Sequence, residues 1–274
     1  MAKNQEVGLI IVGDEILSGK RIDQHFENSK KILSDRGIPV GWVVTLGDEK
    51  KLCERFLRFS FSNSKSVVFC FGGIGSTPDD NTRHACADAL GLNLTLNPEA
   101  EKLIRSKFKE LNTPITPERL QMGEFPLGSE LIPNPFNNIP GFSIQNHYFL
   151  PGFPQMAKPM MEWILDSKYQ NIFCDFVEIE YFLLIDCLYE SSVTPVLKKI
   201  VKNYPNFNVY SLPHSVTGKM KKTKFTLEVG IKMSSRYENL SNNDESLFNK
   251  ASDELKKEIE LLGGIIISEG RQTR

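Results

Sequence analysis

The segment SVVFCFGGIGSTPDDNTRHA, residues 66–85, joins an apolar strand to a helix through a glycine-rich loop. Its first part, Ser66 to Phe71, is almost wholly apolar, which is typical of a strand covered on both faces of a sheet. The helix predicted from Thr82 to Leu90 ends at Gly91. Small residues let backbone N–H groups approach an anion, and the helix directs its positive end there, so the loop predicts an anion site. The residues predicted to bind a substrate here are Gly72, Gly73, Gly75, Ser76, Thr77 and Thr82.

Two adjacent carboxylates, Asp79 and Asp80, distinguish this loop from a simple phosphate cradle. A bare phosphate gains nothing from them, whereas a phosphate that carries a divalent cation does, because hard cations take carboxylate oxygens. The alternative is that one carboxylate only caps the helix. We expect that role for one of the pair and assign catalysis to Asp80. The glycine spacing fits neither a P-loop nor a nicotinamide-binding fingerprint.

A second loop, GDEILSG at residues 13–19, follows the apolar run Val7 to Val12. In a parallel sheet both loops lie at the carboxyl edge, where doubly wound folds bind ligands. Four carboxylates in one cleft repel one another unless a cation or protons intervene, so we expect a divalent metal. The alternative is a solvated Asp-Glu turn. Asp23 is either a helix cap or a substrate-facing residue, and Asp14 is a second catalytic candidate. The predicted metal ligands are Asp14, Glu15, Asp79 and Asp80.

Apolar runs alternate with amphipathic segments through the first half of the chain, which indicates a mostly parallel sheet with helices on both faces. Asp48 is interpreted as the N-cap of a helix, and Trp163 is expected to face inward from another. Between Thr113 and Pro159, frequent Pro and Gly predict shaped loops around a hairpin, Phe142 to Leu150. The other predicted elements are the strand Val40–Leu46 and the helices Asp23–Arg36, Glu99–Leu111 and Pro154–Leu165.

The remainder of the chain predicts a smaller α+β unit of order βαββαβ, as in ferredoxin-like folds. We therefore expect two domains, residues 1–170 and 171–274. The Lys-rich stretch from Lys219 to Lys224 is interpreted as a solvated turn rather than a nucleic-acid site. The predicted elements are strands Phe176–Ile185, Phe207–Leu212, Phe225–Met233 and Ile265–Ser268, and helices Ser191–Lys202 and Asp244–Leu262.

The overall composition favours none of several classes of protein, and it leaves a local basic patch open. The formal net charge of -1 gives no argument for nucleic acid or for a membrane surface. No apolar run approaches the roughly 18 residues of a spanning helix. The five cysteines are widely spaced without a CxxC pair, which is typical of reduced, packed thiols in a cytoplasmic protein.

The histidines offer one candidate for proton transfer. His84 is the better general base because it lies near the glycine loop. His25, near a helix start, is expected on the surface. No G-x-S-x-G elbow and no Cys/His arrangement occurs, which disfavours nucleophilic catalysis.

Four motifs, GDEILSG, GGIGSTPDDNT, NPFNNIPGF and LPGFP, resemble in this order the N-terminal domain of the CinA family. That domain belongs to the molybdopterin-binding superfamily of MogA and MoaB, and the resemblance covers about Glu6 to Leu165. It implies a MogA-like three-layer α/β/α fold and a homodimer. Because the chain ends at Arg274, we do not expect the family's C-terminal domain, which deamidates nicotinamide mononucleotide.

The resemblance also implies an activity. The implied activity is that of a metal-dependent pyrophosphatase, which hydrolyses the diphosphate of ADP-ribose, FAD or a related dinucleotide with cobalt, manganese or magnesium as the cation. The chain departs from the family at Ser76, His25 and Asn137, of which Asn137 is expected to keep a turn through left-handed φ. Further substrate-binding residues implied by the resemblance are Pro140, Gly141, Pro151 and Gly152.

Two other functions use the same loops. One is a molybdopterin- or nucleotide-binding protein of molybdenum cofactor metabolism without hydrolase activity, in which the carboxylates hydrogen-bond a pterin or ribose. The other is molybdopterin adenylyl transfer, which the extra C-terminal domain disfavours. All three predict a small-molecule nucleotide or pterin ligand.

Overall fold

The structure is a computed structural model that describes residues 6–170, 176–217, 223–236 and 240–273. It divides the chain into two units, Met1–Phe173 and Cys174–Arg274. No helix within the described ranges is both long and apolar enough to span a bilayer. The elements of the first unit are β1 (Val7–Val12), α1 (Asp14–Leu17), α2 (His25–Ser34), β2 (Val40–Leu46), α3 (Lys50–Phe61), β3 (Val67–Phe71), α4 (Thr82–Leu90), β4 (Leu94–Leu96), α5 (Pro98–Glu110), α6 (Pro117–Gln121), β5 (Glu124–Pro126), β6 (Glu130–Ile132), β7 (Gly141–Ile144), β8 (His147–Leu150) and α7 (Pro154–Lys168).

The main sheet of the first unit has the strand order β2-β1-β3-β8-β7-β6. Strand β1 pairs in parallel with β2 and β3, and β3 pairs in parallel with β8. The hairpin β7–β8 is antiparallel and places Phe142 opposite Phe149. The start of β7 therefore lies beside the end of β8. It shares one edge of the sheet with the carboxyl ends of β1, β2, β3 and β8.

Alternate residues of the strands face two separate cores. Leu9 and Ile11 of β1 join a core with α2 and α7, whereas Ile10 and Val12 join a core with α3 and α4. This alternation produces three layers, helices on either face of a mostly parallel sheet. The predicted fold class is confirmed. On β2, the Trp42 ring occupies the place of a side chain on Gly8, since a Cβ there would stand 2.1 Å from it.

Some segments differ from their predictions. Glu49, not Asp48, is the N-cap of α3. Trp163 is 40% exposed, because the inner face of α7 is formed by Met160, Met161 and Ile164 and their neighbours. The Pro-rich stretch contains α6, β5 and β6 besides the predicted hairpin. Short strands and single-turn helices carry too few residues to produce a periodic pattern.

The second unit is a four-stranded antiparallel sheet of order β10-β11-β9-β12. It packs two helices against one core, and the predicted βαββαβ order is confirmed. Cys187 is exposed, contrary to its expected burial, while Cys174 and residues 219–222 of the Lys-rich stretch lie outside the described residues. The elements are β9 (Phe176–Asp186), α8 (Glu190–Asn203), β10 (Asn208–Thr217), β11 (Thr223–Arg236), α9 (Asn242–Leu261) and β12 (Ile265–Thr273).

Candidate functional site

The loops at the carboxyl edge of the main sheet enclose a pocket of about 450 Å³. Its lining comes from the ends of β1, β2, β3 and β8 and from the approach to β7. The topology brings these segments together, as expected for ligand sites of open α/β sheets. The predicted residues that line the pocket are Glu15, Gly72, Gly73, Gly75, Ser76, Thr77, Asp79, Asp80, Pro140, Pro151 and Gly152.

The glycine loop depends on Gly72 and Gly73, whose φ values are 98° and 68°. A Cβ on Gly72 would stand 2.2 Å from the Val12 carbonyl oxygen, and one on Gly73 would stand 2.1 Å from Thr82 Oγ1. Both the conformation and the close approach therefore require glycine. The Thr82 N–H donates to the Gly73 carbonyl at 3.0 Å, which fixes the loop on the first turn of α4.

The Asp80 carboxylate closes the same loop. Its Oδ2 accepts hydrogen bonds from the Thr77 N–H at 2.8 Å and from Thr77 Oγ1 at 2.5 Å. A Cβ on Gly75 would stand 2.5 Å from that oxygen, so the carboxylate lies directly against Gly75. Asp80 thus lines the pocket while one of its oxygens holds the loop.

Asp14 and Asp48 exchange hydrogen bonds between the ends of β1 and β2. The Asp14 N–H donates to Asp48 Oδ2 at 2.8 Å, and the Asp48 N–H donates to Asp14 Oδ1 at 3.3 Å. Burial raises the pKa of Asp48, and the charges of Asp14, Glu15 and Asp79 raise it further. The predicted helix-capping role of Asp48 is therefore wrong. Its position could have been found from the sequence, because Gly-Asp follows both neighbouring parallel strands.

Four predicted residues lie outside the pocket lining: Asp14, Asp23, Thr82 and Gly141. Asp23 accepts from the N–H groups of His25 at 2.8 Å and Phe26 at 3.2 Å, so it satisfies N–H groups of the first turn of α2, although the N-cap residue itself is Gln24. Gly141 begins β7, where a Cβ would stand 2.4 Å from the Phe149 carbonyl oxygen. These contacts give both residues structural roles. A part in ligand binding stays a prediction for all four.

A divalent metal requires several carboxylates to converge. The oxygen donors of Glu15, Asp79 and Asp80 suit a hard cation. Among the residues that the structure describes, however, no three His, Cys, Asp or Glu side chains are placed to hold an ion. Oxygens of Asp80 and Asp14 already accept hydrogen bonds from loop N–H groups. The arrangement does not fit a preformed metal site, and the predicted ligand set stays a prediction.

His25 is buried, so its expected surface position is wrong. It is 6% exposed, and its ring stacks on Phe71 with centroids 4.6 Å apart. Its Nε2 lies 3.2 Å from the carbonyl oxygen of Gly152. Burial lowers the pKa of His25, so a neutral ring with its proton on Nε2 can donate to that carbonyl. The side chain ties the end of β8 to the start of α2.

His84 does not share this position. It is exposed on α4 and lies outside the pocket lining. Its predicted role as general base has no support in this geometry, because a general base must reach the proton that it removes.

A second wall of the pocket is formed by residues 134–156 and is apolar except for two amides. Ile139, Phe153 and Met156 supply the apolar part. The two amides are those of Asn134 and Asn137. The Asn137 carboxamide oxygen accepts from the Ile139 N–H at 2.9 Å. The left-handed residue of this loop is Asn138, with φ of 63°, so the turn expected at Asn137 lies one residue later. The site therefore pairs a donor-rich glycine loop with an apolar wall.

A three-layer α/β fold whose carboxyl edge carries such a pocket defines a small-molecule-binding domain. Residues 8–170 match the family described as "Probable molybdopterin binding domain". The chain belongs to that family, and the CinA-like resemblance is confirmed at this level.

Similar proteins extend over both units. A protein of Saccharolobus islandicus is 28% identical over 94% of this chain and 96% of its own length. A protein of Pyrobaculum arsenaticum is 30% identical over 75% of this chain and 78% of its own length. The solved structure "protein CinA with unknown function" from Thermoplasma acidophilum is 25% identical and covers 60% of this chain and 98% of its own, with a TM-score of 0.54.

Proposed function

We propose that the pocket of the first unit binds a phosphorylated pterin or nucleotide, as a ligand-binding protein of the molybdopterin-binding family. The observation that carries this proposal is the pairing of two unlike walls in one pocket. The backbone N–H groups of the glycine loop, which leads into α4, suit a phosphate. Ile139, Phe153 and Met156 suit the flat face of a heteroaromatic ring.

Direct titration tests this proposal. Purified protein is titrated calorimetrically with ADP-ribose, FAD and a pterin phosphate, each in EDTA and each in magnesium, manganese or cobalt. We expect at least one of the three to bind in EDTA, because the anion contacts come from the protein backbone. Absence of binding by all three under every condition would contradict the proposal.

A second candidate function is hydrolysis of the ligand's phosphoanhydride. The observation that favours it is the concentration of carboxylates at Glu15, Asp48, Asp79 and Asp80. Burial raises the pKa of Asp48, and the charges of Asp14, Glu15 and Asp79 raise it further. Negative charge beside a phosphate is unfavourable unless a cation accompanies it. Release of a nucleoside monophosphate from ADP-ribose or FAD with a divalent metal would establish this function. A homodimer, as the CinA resemblance implies, is compatible with both candidates.

The direction in which one substitution changes affinity and turnover separates the two candidate functions. In metal-free binding, Asp80→Asn removes a negative charge next to a bound phosphate, so affinity should stay constant or rise. In metal-assisted hydrolysis the same substitution removes a cation ligand, so turnover should fall by at least 100-fold. The isosteric amide can still accept from Thr77 and preserve the loop.

Asp88→Asn is the matched control for this measurement. Asp88 lies at the other end of α4 and pairs with Lys50 at 2.7 Å on the surface. Exposed pairs contribute little to stability, about 0–1 kcal/mol. We expect Asp88→Asn to leave affinity and turnover unchanged. A change equal to that of Asp80→Asn would mean that charge on the helix, and not position in the pocket, controls the effect.

A further inference from the structure

Arg83 is a buried basic side chain in the first turn of α4, directly after Thr82. It is 2% exposed, and it does not line the pocket. Its Nη2 donates to the carbonyl oxygen of Gly75 at 2.7 Å, and its Nη1 donates to the carbonyl oxygen of Gln121. Arg83 Nε has no hydrogen-bond partner in the described part of the chain.

The two carbonyls belong to different parts of the pocket. Gly75 lies in the glycine loop, and Gln121 ends α6 immediately before Met122, which lines the pocket. The planar guanidinium presents several N–H groups in a fixed fork, so one side chain holds both segments at a set distance. A lysine ammonium could supply the charge but not this geometry.

The orientation of the Gly75 carbonyl determines that of the next N–H. In a trans peptide the carbonyl of one residue and the N–H of the next point in opposite directions. Because the Gly75 carbonyl points at Arg83, the Ser76 N–H points away from it. Ser76 lines the pocket, and no partner for its N–H lies among the described residues. The contact therefore orients a free donor of the loop.

The charge of Arg83 also reaches the acidic part of the site. Burial lowers the pKa of the guanidinium, while the carboxylates of Asp80 and Glu124 oppose that effect. A buried cation with an unpaired N–H is costly to the fold. The contact of Arg83 with Gly75 and its charge beside Asp80 give a functional reason for the fold to bear that cost.

We propose that Arg83 is the positioning residue of the anion site, holding the Gly75–Ser76 peptide against the end of α6 and placing a fixed positive charge beside the loop. The part of this inference that concerns ligand affinity rests on the proposed function. The part that concerns the conformation of the loop does not.

The experiment compares Arg83→Met with a matched variant, Arg58→Met. Arg58 also donates to two carbonyls of this helix region, Ala89 at 3.0 Å and Asp88 at 2.6 Å, but at the opposite end of α4. Hydrogen exchange is measured at the Thr77 N–H, which donates to Asp80. Binding of inorganic diphosphate and ADP-ribose is measured by calorimetry. Circular dichroism confirms that each variant is folded.

We expect Arg83→Met to accelerate exchange at Thr77 at least tenfold and to weaken binding of both probes at least tenfold. Arg58→Met should leave both measurements within twofold. Arg83→Lys should recover part of the affinity, because it restores charge, but none of the exchange protection, because it lacks the fork. If Arg83→Met does not fold, Arg83→Lys provides the exchange measurement.

The outcomes separate the inference from the proposed function. Unchanged exchange at Thr77 in a folded Arg83 variant overturns the positioning role, whatever happens to binding. A wild-type protein that binds neither of these probes, nor FAD, nor the pterin phosphate contradicts the proposed function, and the exchange result still decides the role of Arg83. Equal acceleration in the Arg58 variant would show a general loosening of α4 and would also overturn the inference.

Discussion

His25 lies at the carboxyl edge of the mostly parallel main sheet, His147 lies at the opposite edge, where the parallel strands begin (the amino edge), and both side chains are buried. At the amino edge, both ring nitrogens of His147 have partners, the Gln145 carbonyl and the Ser60 hydroxyl, each at 2.9 Å. At the carboxyl edge, His25 contacts the Gly152 carbonyl of a loop that lines the pocket. The same residue type thus completes a closed core at one edge and supports a binding surface at the other.

The comparison of the two edges shows which of them carries the energetically costly conformations. Around His147 the polar atoms satisfy one another, so substitution should affect stability alone. Around the pocket, left-handed glycines, a buried arginine and a carboxylate against Gly75 position groups that face open space. Such arrangements are expected at ligand sites, where strain is maintained by the surrounding structure.

The largest expected effect is that of Gly73→Ala at the carboxyl edge. The new Cβ would meet Thr82 Oγ1 at 2.1 Å with φ of 68°, and strain plus overpacking should lower the free energy of unfolding by about 4 kcal/mol. Gly91→Ala is the control, because its φ is 66° with nothing within 4 Å. It should cost about 1 kcal/mol. Urea unfolding checks both values, and equal costs would show that the fit against Thr82 is unimportant.

The second largest expected effect concerns His147 at the amino edge, and it is the dependence of the free energy of unfolding on pH. Burial lowers the pKa of His147 from 6.5 to about 4. The unfolded chain therefore binds a proton that the folded chain excludes, and stability falls as pH drops from 6.5 to 4. The loss should reach about 3 kcal/mol.

His147→Gln isolates this contribution, since His25 titrates in both proteins. The variant should show a shallower loss of unfolding free energy between pH 7 and pH 4, measured by urea titration. Its ligand affinity at pH 7 should equal that of the wild type. An altered ligand affinity in His147→Gln would contradict the view that the amino edge contributes to stability alone.

The smallest expected effect concerns His25. His25→Leu removes the donor to the Gly152 carbonyl, a hydrogen bond that contributes about 0.5–1.5 kcal/mol, so affinity for ADP-ribose should fall about threefold to tenfold. His25→Gln keeps an N–H donor and should retain more of the affinity. Calorimetry at pH 7 checks both variants. A loss of stability in His25→Leu without any loss of affinity would make the carboxyl-edge histidine equivalent to His147.

The fold and the glycine loop could be predicted from the sequence because their signals are local. Apolar strands, helix stops and the residues of the loop follow one another within short windows, and the helix Thr82–Leu90 has the predicted bounds. The buried side chains around the loop could not be predicted in this way. His25 meets a carbonyl 127 residues away and Arg83 meets one 38 residues away. Both partners are backbone atoms, which no residue type identifies.

Asp48 shows an intermediate case. Its Gly-Asp context repeats that of Asp14 at the neighbouring strand, but the side chain also fits a helix cap, and propensity alone favours the cap. Only the pairing of β1 with β2 brings the two loops close enough to exchange hydrogen bonds. Tertiary pairing therefore decides between two local alternatives.

Trp42, whose ring packs over Gly8, serves as a fluorescent probe of the first unit. The chain has two tryptophans, Trp42 and Trp163, and both belong to the unit Met1–Phe173. Indole emission on denaturation therefore reports that unit alone, whereas far-ultraviolet ellipticity reports helices of both. Superimposable transitions would indicate that the two units melt as one cooperative body, and separated transitions would give each unit its own midpoint.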